Sequence, residues 1–202
     1  MKLYHYAKSR STRVLWLLEE LGLEYDAETL PFDPRAFKLA DHLEIESYGT
    51  LPMLLDDAYA GSESIAVVQY LLDRYADGKL VPDRDSDAYG PFLEWLQFGE
   101  NKLMDSLTQL LQQSALLPEA ERDKKAAEQA RRLFKHFARV VDTALEGKQY
   151  LVEEEFSAAD IVVGYALFLA EDFGVFPQGL GNLSEYYARL RQRPAFKLAT
   201  TS

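Results

Sequence analysis

The chain has 202 residues, 48% hydrophobic and 27% charged, which places it among folded globular proteins of one or two compact units and excludes a disordered or fibrous chain. It contains no Cys, so a disulfide framework, a thiolate zinc site, an iron–sulfur cluster and a cysteine nucleophile are excluded, and any thiol chemistry must use a borrowed thiol. The net charge of −11, with 7 basic and 14 acidic side chains over residues 1–78 and 15 and 19 over the rest, argues against nucleic acid or an anionic membrane as partner. The longest strongly apolar run, Ile161 to Ala170, is about half of what a membrane-spanning helix needs. Lys8, Arg10 and Arg13 precede any apolar stretch long enough for a signal peptide, so a cytoplasmic location is expected.

In chain order, Leu3, Tyr4 and Tyr6 form a short β-like run that Ser9-Arg10-Ser11-Thr12 breaks. Val14, Leu15, Leu17, Leu18 and Leu21 then fall at helical spacing, and Gly22 supplies a left-handed cap. Tyr25 to Leu30 alternates as a second strand. Pro31 and Pro34 open a loop with room for a short irregular helix around residues 35–46. Leu51 to Leu55 reads as a buried strand, Tyr59-Ala60 as a brief partner ending at a turn on Gly61, and Ile65, Val68, Leu71, Leu72 and Tyr75 as one face of a helix. The order is β-α-β followed by β-β-α, which implies a parallel pair with an antiparallel edge.

After Gly78 the pattern changes. Residues 79–86 lack periodicity and read as a linker, and 87–202 read as an all-α domain, against an α/β domain over 1–78. One helical segment of about 30 residues carries Leu93, Leu96, Leu103, Leu107 and Leu110 up to Pro118. A second runs from Ala130 to Leu145, a third starts at Ser157, and a last one holds Leu183 to Leu190 and ends before Pro194.

Four features carry chemistry or its scaffold. Ser9 and Ser11 lie at a strand-to-helix turn, where unsatisfied backbone N–H groups stabilise an anion and a hydroxyl adds one donor; taken alone, a helix cap is the commoner role for such a serine. Pro52 must sit at a strand start or in a cis bond, because proline removes a ladder donor. Glu63-Ser64 at a helix start pairs a carboxylate and a hydroxyl with free backbone donors, which suits an amino-acid head group as well as an ordinary cap. Phe156-Ser157-Ala158-Ala159-Asp160-Ile161 reads as a capping box with a hydrophobic staple, and that role is structural. His5, His42 and His136 lie far apart in the chain without a second ligand at helical spacing, so no metal site is expected.

Taken in order, Ser9–Gly22, Gly49-Thr50-Leu51-Pro52, Glu63-Ser64 and Ser157–Asp160 resemble the cytosolic glutathione transferase family over roughly residues 1–195, closest to its serine-type bacterial and fungal members. The resemblance implies a thioredoxin-like N-terminal domain, an all-α C-terminal domain and a homodimer. It implies glutathione as co-substrate, no other cofactor, and a small hydrophobic electrophile or a hydroperoxide as acceptor. Ser9 matches the family's catalytic hydroxyl, with Ser11 as second choice and Tyr6 as a third, since other classes use a tyrosine on the first strand. Thr50, Leu51, Pro52, Glu63 and Ser64 match its glutathione-binding positions. The electrophile would lie against Trp95, Phe98 and Leu103 on the long helix. Thr50 stands where many members carry Lys, which together with the acidic N-terminal half keeps open a non-catalytic interaction module on the same fold; a glutathione-dependent disulfide reductase sits between the two readings.

Overall fold

The computed structural model describes residues 1–30 and 50–201, so the loop helix expected near 35–46 lies outside the described residues. The described chain divides into two compact units, one of residues 1–81 with 192–202 and one of residues 82–191.

The first unit is built on a four-stranded sheet in the order β2-β1-β3-β4, with strands β1 (Lys2–His5), β2 (Asp26–Thr29), β3 (Met53–Asp56) and β4 (Tyr59–Gly61). Strand β1 pairs parallel with β2 and antiparallel with β3, and β3 with β4 forms the antiparallel edge. The parallel pair requires a crossover, supplied by helix α1 (Ser11–Leu21), and helix α2 (Ser64–Tyr75) follows β4. The parallel pair and antiparallel edge are those the order of apolar runs implies, and together they make the thioredoxin-like arrangement that the family resemblance implies. Helix α1 ends where Gly22 turns left-handed at φ 66°, its N–H reaching Glu19 O while Leu23 N–H reaches Leu18 O, a conformation that favours glycine. From Ser11 to Leu18 every residue of α1 is buried, Trp16 among them, so the helix is a core element rather than a surface one.

One correction concerns the end of the chain. Residues 192–202 belong with the first unit, not with the C-terminal helices, and they include helix α8 (Pro194–Thr201), which the periodicity stops short of. Pro194 opens this helix, where a missing N–H costs nothing. The Phe196 ring meets Trp16 of α1 edge-on at 4.9 Å. Arg193 clasps Glu20 through Nε at 2.6 Å and Nη2 at 2.7 Å, and Trp16 Nε1 donates to the same carboxylate at 2.8 Å. A bidentate fork plus an aromatic contact explains the attachment, and neither is visible in local spacing.

The second unit is helical: α3 (Tyr89–Phe98), α4 (Asp105–Leu111), α5 (Lys124–Ala144), α6 (Ala158–Asp172) and α7 (Gly181–Leu190). The expected long helix runs from α3 through α4 but is interrupted by π-type turns at Gly99–Met104 and Gln112–Leu116. Each such turn inserts a residue into the helical register. The first lies where the backbone passes α6, with an ideal Cβ on Gly99 falling 2.6 Å from Val162 Cγ1. Helix α6 is apolar nearly all round and fills the middle of this unit.

At its start, Asp160 makes the capping contact expected of it and more. Its Oδ2 accepts from Ser157 N–H at 2.8 Å and Ser157 Oγ at 3.1 Å, and its Oδ1 from Leu151 N–H at 3.1 Å and Tyr186 Oη at 2.9 Å. Burial pushes the Asp160 carboxyl above its ordinary range, against the pull of these hydrogen bonds. No helix among the described residues is long and apolar enough to cross a membrane.

Candidate functional site

The turn between β1 and α1 brings the serines together. After His5 the chain reverses through Lys8, left-handed at φ 65°, and Ser9 N–H closes the turn onto Tyr6 O at 3.1 Å. Thr12 N–H then reaches Ser9 O at 3.0 Å and Ser11 N–H reaches Ser9 Oγ at 3.2 Å, so Ser9 caps the first turn of α1 from one residue outside it. The cap role and the anion role expected of Ser9 do not compete. Capping uses the oxygen as acceptor and leaves its proton available.

The two hydroxyls differ in exposure and in partners. Ser11 is 0% exposed, and its Oγ lies 2.6 Å from Ser9 Oγ and 2.8 Å from His5 Nδ1. It also receives Tyr6 N–H at 3.2 Å and lies 3.3 Å from Tyr6 O. Ser9 is half-buried, and among the described residues its hydroxyl meets Ser11. Tyr6 lies just past the end of β1 and enters the cluster through its backbone.

His5 is the residue that sequence reasoning missed. It is 1% exposed and shares the buried end of β1 with Leu3 and Tyr4. As a metal ligand it lacks neighbours, since among the described residues no three His, Asp or Glu side chains gather as a metal site. The signal for its actual contact is weak: His5 and Ser11 are six residues apart across a turn, where no helical or strand period applies.

The glutathione-binding candidates fall on two other elements of the same unit. Thr50 is exposed, Leu51 half-buried and Pro52 buried, and the Leu51–Pro52 bond is cis. Strand pairing begins only at Met53, opposite Tyr4, so Leu51 stands outside the ladder. Glu63 is exposed and extended at φ −78°, ψ 111° before α2, whose first turn carries no side-chain cap and whose first residue, Ser64, is buried. Backbone donors with a carboxylate beside them suit a group that bears both charges.

The electrophile candidates divide. Trp95 and Phe98 are half-exposed on the helical unit, edge to face at 5.1 Å, and Phe98 meets Phe137 at 5.8 Å. Leu103 is 0% exposed and offers no surface to a ligand, contrary to its expected place against the electrophile. Leu103 follows Leu96 by seven residues and precedes Leu107 by four, so it shares their fully buried face and not that of the two aromatic rings.

Comparison with known proteins places this geometry in context. Residues 1–73 match the model for the glutathione S-transferase N-terminal domain and residues 103–194 that for its C-terminal domain. Glutathione S-transferase 3 of Schizosaccharomyces pombe is 24% identical over 209 residues, covering 98% of this chain and 85% of that protein. The Oryza sativa subsp. japonica protein named "Probable glutathione S-transferase GSTF2" is 30% identical over 165 residues, covering 80% of this chain and 76% of its own length. A glutathione transferase of Phanerochaete chrysosporium, solved in complex with oxidized glutathione, superposes with a TM-score of 0.88 at 26% identity, covering 98% of this chain and 93% of that one. With both domain models matched in order and relatives aligned over most of its length, the chain belongs to the glutathione S-transferase family.

Proposed function

We propose that this protein is a glutathione transferase in which the Ser9 hydroxyl stabilises the thiolate of bound glutathione for transfer to a small hydrophobic electrophile or hydroperoxide. The observation that carries the reading is the contrast between the two serines. Ser11 is fully buried with its oxygen engaged on several sides, whereas Ser9 is half-buried and keeps surface exposure.

The magnitudes are adequate. A glutathione thiol resembles cysteine, with a pKa near ~8.5, so only a few per cent is thiolate at neutral pH. Lowering that pKa by about two units takes about 2.7 kcal/mol. A hydrogen bond to an ionised sulfur contributes ~1.5–3 kcal/mol and the helix terminus ~0.3–1. The first two backbone N–H groups of α1 are already engaged by Ser9, so the helix acts on the sulfur through its field and the hydroxyl supplies the direct bond. Ser9 is then a donor, not a base.

The rest of the ligand has a place on the same unit. The backbone of Leu51, outside the sheet ladder beside Pro52, would pair with the cysteinyl portion, and Thr50 would face a carboxylate. Glu63 would take the γ-glutamyl ammonium, and Ser64 with the uncapped N–H groups of α2 its carboxylate. Of the acceptor candidates, Trp95 and Phe98 keep partly exposed aromatic surface on the helical unit. A relative solved with oxidized glutathione gives disulfide reduction through glutathione as the second reading. A homodimer, sedimenting at twice the 23.0 kDa of one chain, completes the proposal.

The test is turnover of a chloronitrobenzene and of a hydroperoxide with glutathione, in the parent protein and in Ser9→Ala. The expected loss is about ten- to a hundredfold, the rate equivalent of one charge-assisted hydrogen bond. An unchanged rate in Ser9→Ala refutes the role of Ser9. If millimolar glutathione does not raise the melting temperature, the non-catalytic module on this fold is the better reading.

A further inference from the structure

A hydroxyl can stabilise a sulfur anion only with its proton, and the proton of Ser9 has two places to go. It can point outward to glutathione, or inward along the 2.6 Å contact to Ser11 Oγ. Which of these holds is decided by counting protons along the chain that continues through Ser11 Oγ to His5 Nδ1 at 2.8 Å.

Each hydroxyl has one proton. Ser11 Oγ already receives Tyr6 N–H at 3.2 Å, and Ser9 Oγ already receives Ser11 N–H at 3.2 Å. If His5 Nδ1 carries a proton, it donates to Ser11 Oγ, Ser11 donates to Ser9 Oγ, and Ser9 has both acceptor positions filled and its own proton facing outward. If Nδ1 is bare, Ser11 donates to His5, the short contact can then be made only by Ser9 donating to Ser11, and Ser9 turns a lone pair outward. Tyr6 O, at 3.3 Å, is the longest of the acceptors open to Ser11 and competes least. His5 is 1% and Ser11 0% exposed, so bulk water does not break the order between them.

Building on the reading of Ser9 above, we infer that His5 is a positioning residue that sets the direction of this hydrogen-bond chain: His5 protonated on Nδ1 aligns Ser11 and Ser9 so that the Ser9 proton faces the glutathione sulfur. It touches neither substrate nor sulfur. Its tautomer decides whether the site favours thiolate or thiol.

The first test is nitrogen-15 NMR of the parent protein with glutathione bound. The three histidines, His5, His42 and His136, give three ring patterns, and His5 is the one lost in His5→Asn. A proton on Nδ1 of His5 is expected. A bare Nδ1 overturns the inference, whatever the variants do. The second test reads the pKa of the bound glutathione thiol from thiolate ultraviolet absorbance in the parent, His5→Leu, Ser9→Ala and the double variant. His5→Leu is expected to raise that pKa by about one unit, a tenfold loss of thiolate at neutral pH, and to add nothing on top of Ser9→Ala. S-methylglutathione, which has no ionisable thiol, is expected to bind His5→Leu within about twofold of the parent, a split that loss of fold does not produce. A raised pKa in Ser9→Ala with none in His5→Leu overturns the role of His5 alone. An unchanged pKa in Ser9→Ala overturns the reading of Ser9 itself. Should His5→Leu fail to fold, the tautomer in the parent protein decides the matter.

Discussion

Replacing Asp160 by Asn keeps the shape of the side chain and removes half of its acceptors. Four donors converge on the carboxylate, two on each oxygen: Ser157 N–H and Ser157 Oγ on one, Leu151 N–H and Tyr186 Oη on the other. An amide oxygen can satisfy only one pair, so the NH2 group faces one backbone N–H and one hydroxyl, of which only the hydroxyl can turn to accept, in a site that is 0% exposed. Leaving one buried N–H unpaired costs about 1–3 kcal/mol. The burial that pushes the carboxyl upward is relieved in the neutral variant, which returns part of that loss. The net expectation is a loss of about 1–3 kcal/mol. Urea unfolding followed by circular dichroism measures the total, and amide exchange at Leu151 and Ser157 shows whether one of these two N–H groups has lost its acceptor. A loss below about 1 kcal/mol, or a gain in stability, would mean that the cost of burying the charge outweighs its hydrogen bonds, and the capping argument fails.

Three further outcomes follow from named contacts. Gly99→Ala places a methyl group 2.6 Å from Val162 Cγ1, a fully buried β-branched neighbour that cannot easily turn away; an overpacking loss of about 1–3 kcal/mol is expected in thermal unfolding, partly recovered by Val162→Ala. Burial works against the charge of Asp56, but the hydroxyls of Tyr75 and Tyr70 outweigh it and hold the carboxyl below its ordinary value of 3.8. Because the folded value lies below the unfolded one, this stabilisation is full above about pH 4 and is lost as pH falls through the folded value, so Asp56→Asn should flatten the acid limb of a stability–pH curve. Glu63→Gln should weaken both glutathione and S-methylglutathione by about five- to thirtyfold in calorimetric Kd while sparing kcat, since an ammonium contact is lost and the sulfur is untouched; equal affinities in parent and variant would place the γ-glutamyl head elsewhere.

Much of the fold is legible in the sequence because it rests on local periods. Leu3 and Tyr4 before a polar turn, Val14 to Leu21 at helical spacing, and Gly22 at the end mark β1, α1 and the cap at the observed places. The same holds for Ser157 and Asp160, whose capping contact spans three residues. Leu103 shows where a place on the right helix is not enough. It sits on the same helix as Trp95 and Phe98, but it shares the fully buried face of Leu96 and Leu107, and how much surface each face keeps is set by what packs on it.

By itself, the sequence determined the order of elements, the absence of a thiol nucleophile and the serine turn beside a helix start, since each depends on composition or on neighbours a few residues apart. Tertiary structure decided the contacts that cross the chain. It brought Arg193 to Glu20 and Phe196 to Trp16, moving the last helix to the first unit. It also separated two serines that composition makes equivalent, burying Ser11 against His5 and leaving Ser9 toward solvent. The physical reason is that burial and hydrogen-bond partnership are properties of a packed neighbourhood. A short β-strand turning into a buried helix creates such a neighbourhood among residues that no local period connects.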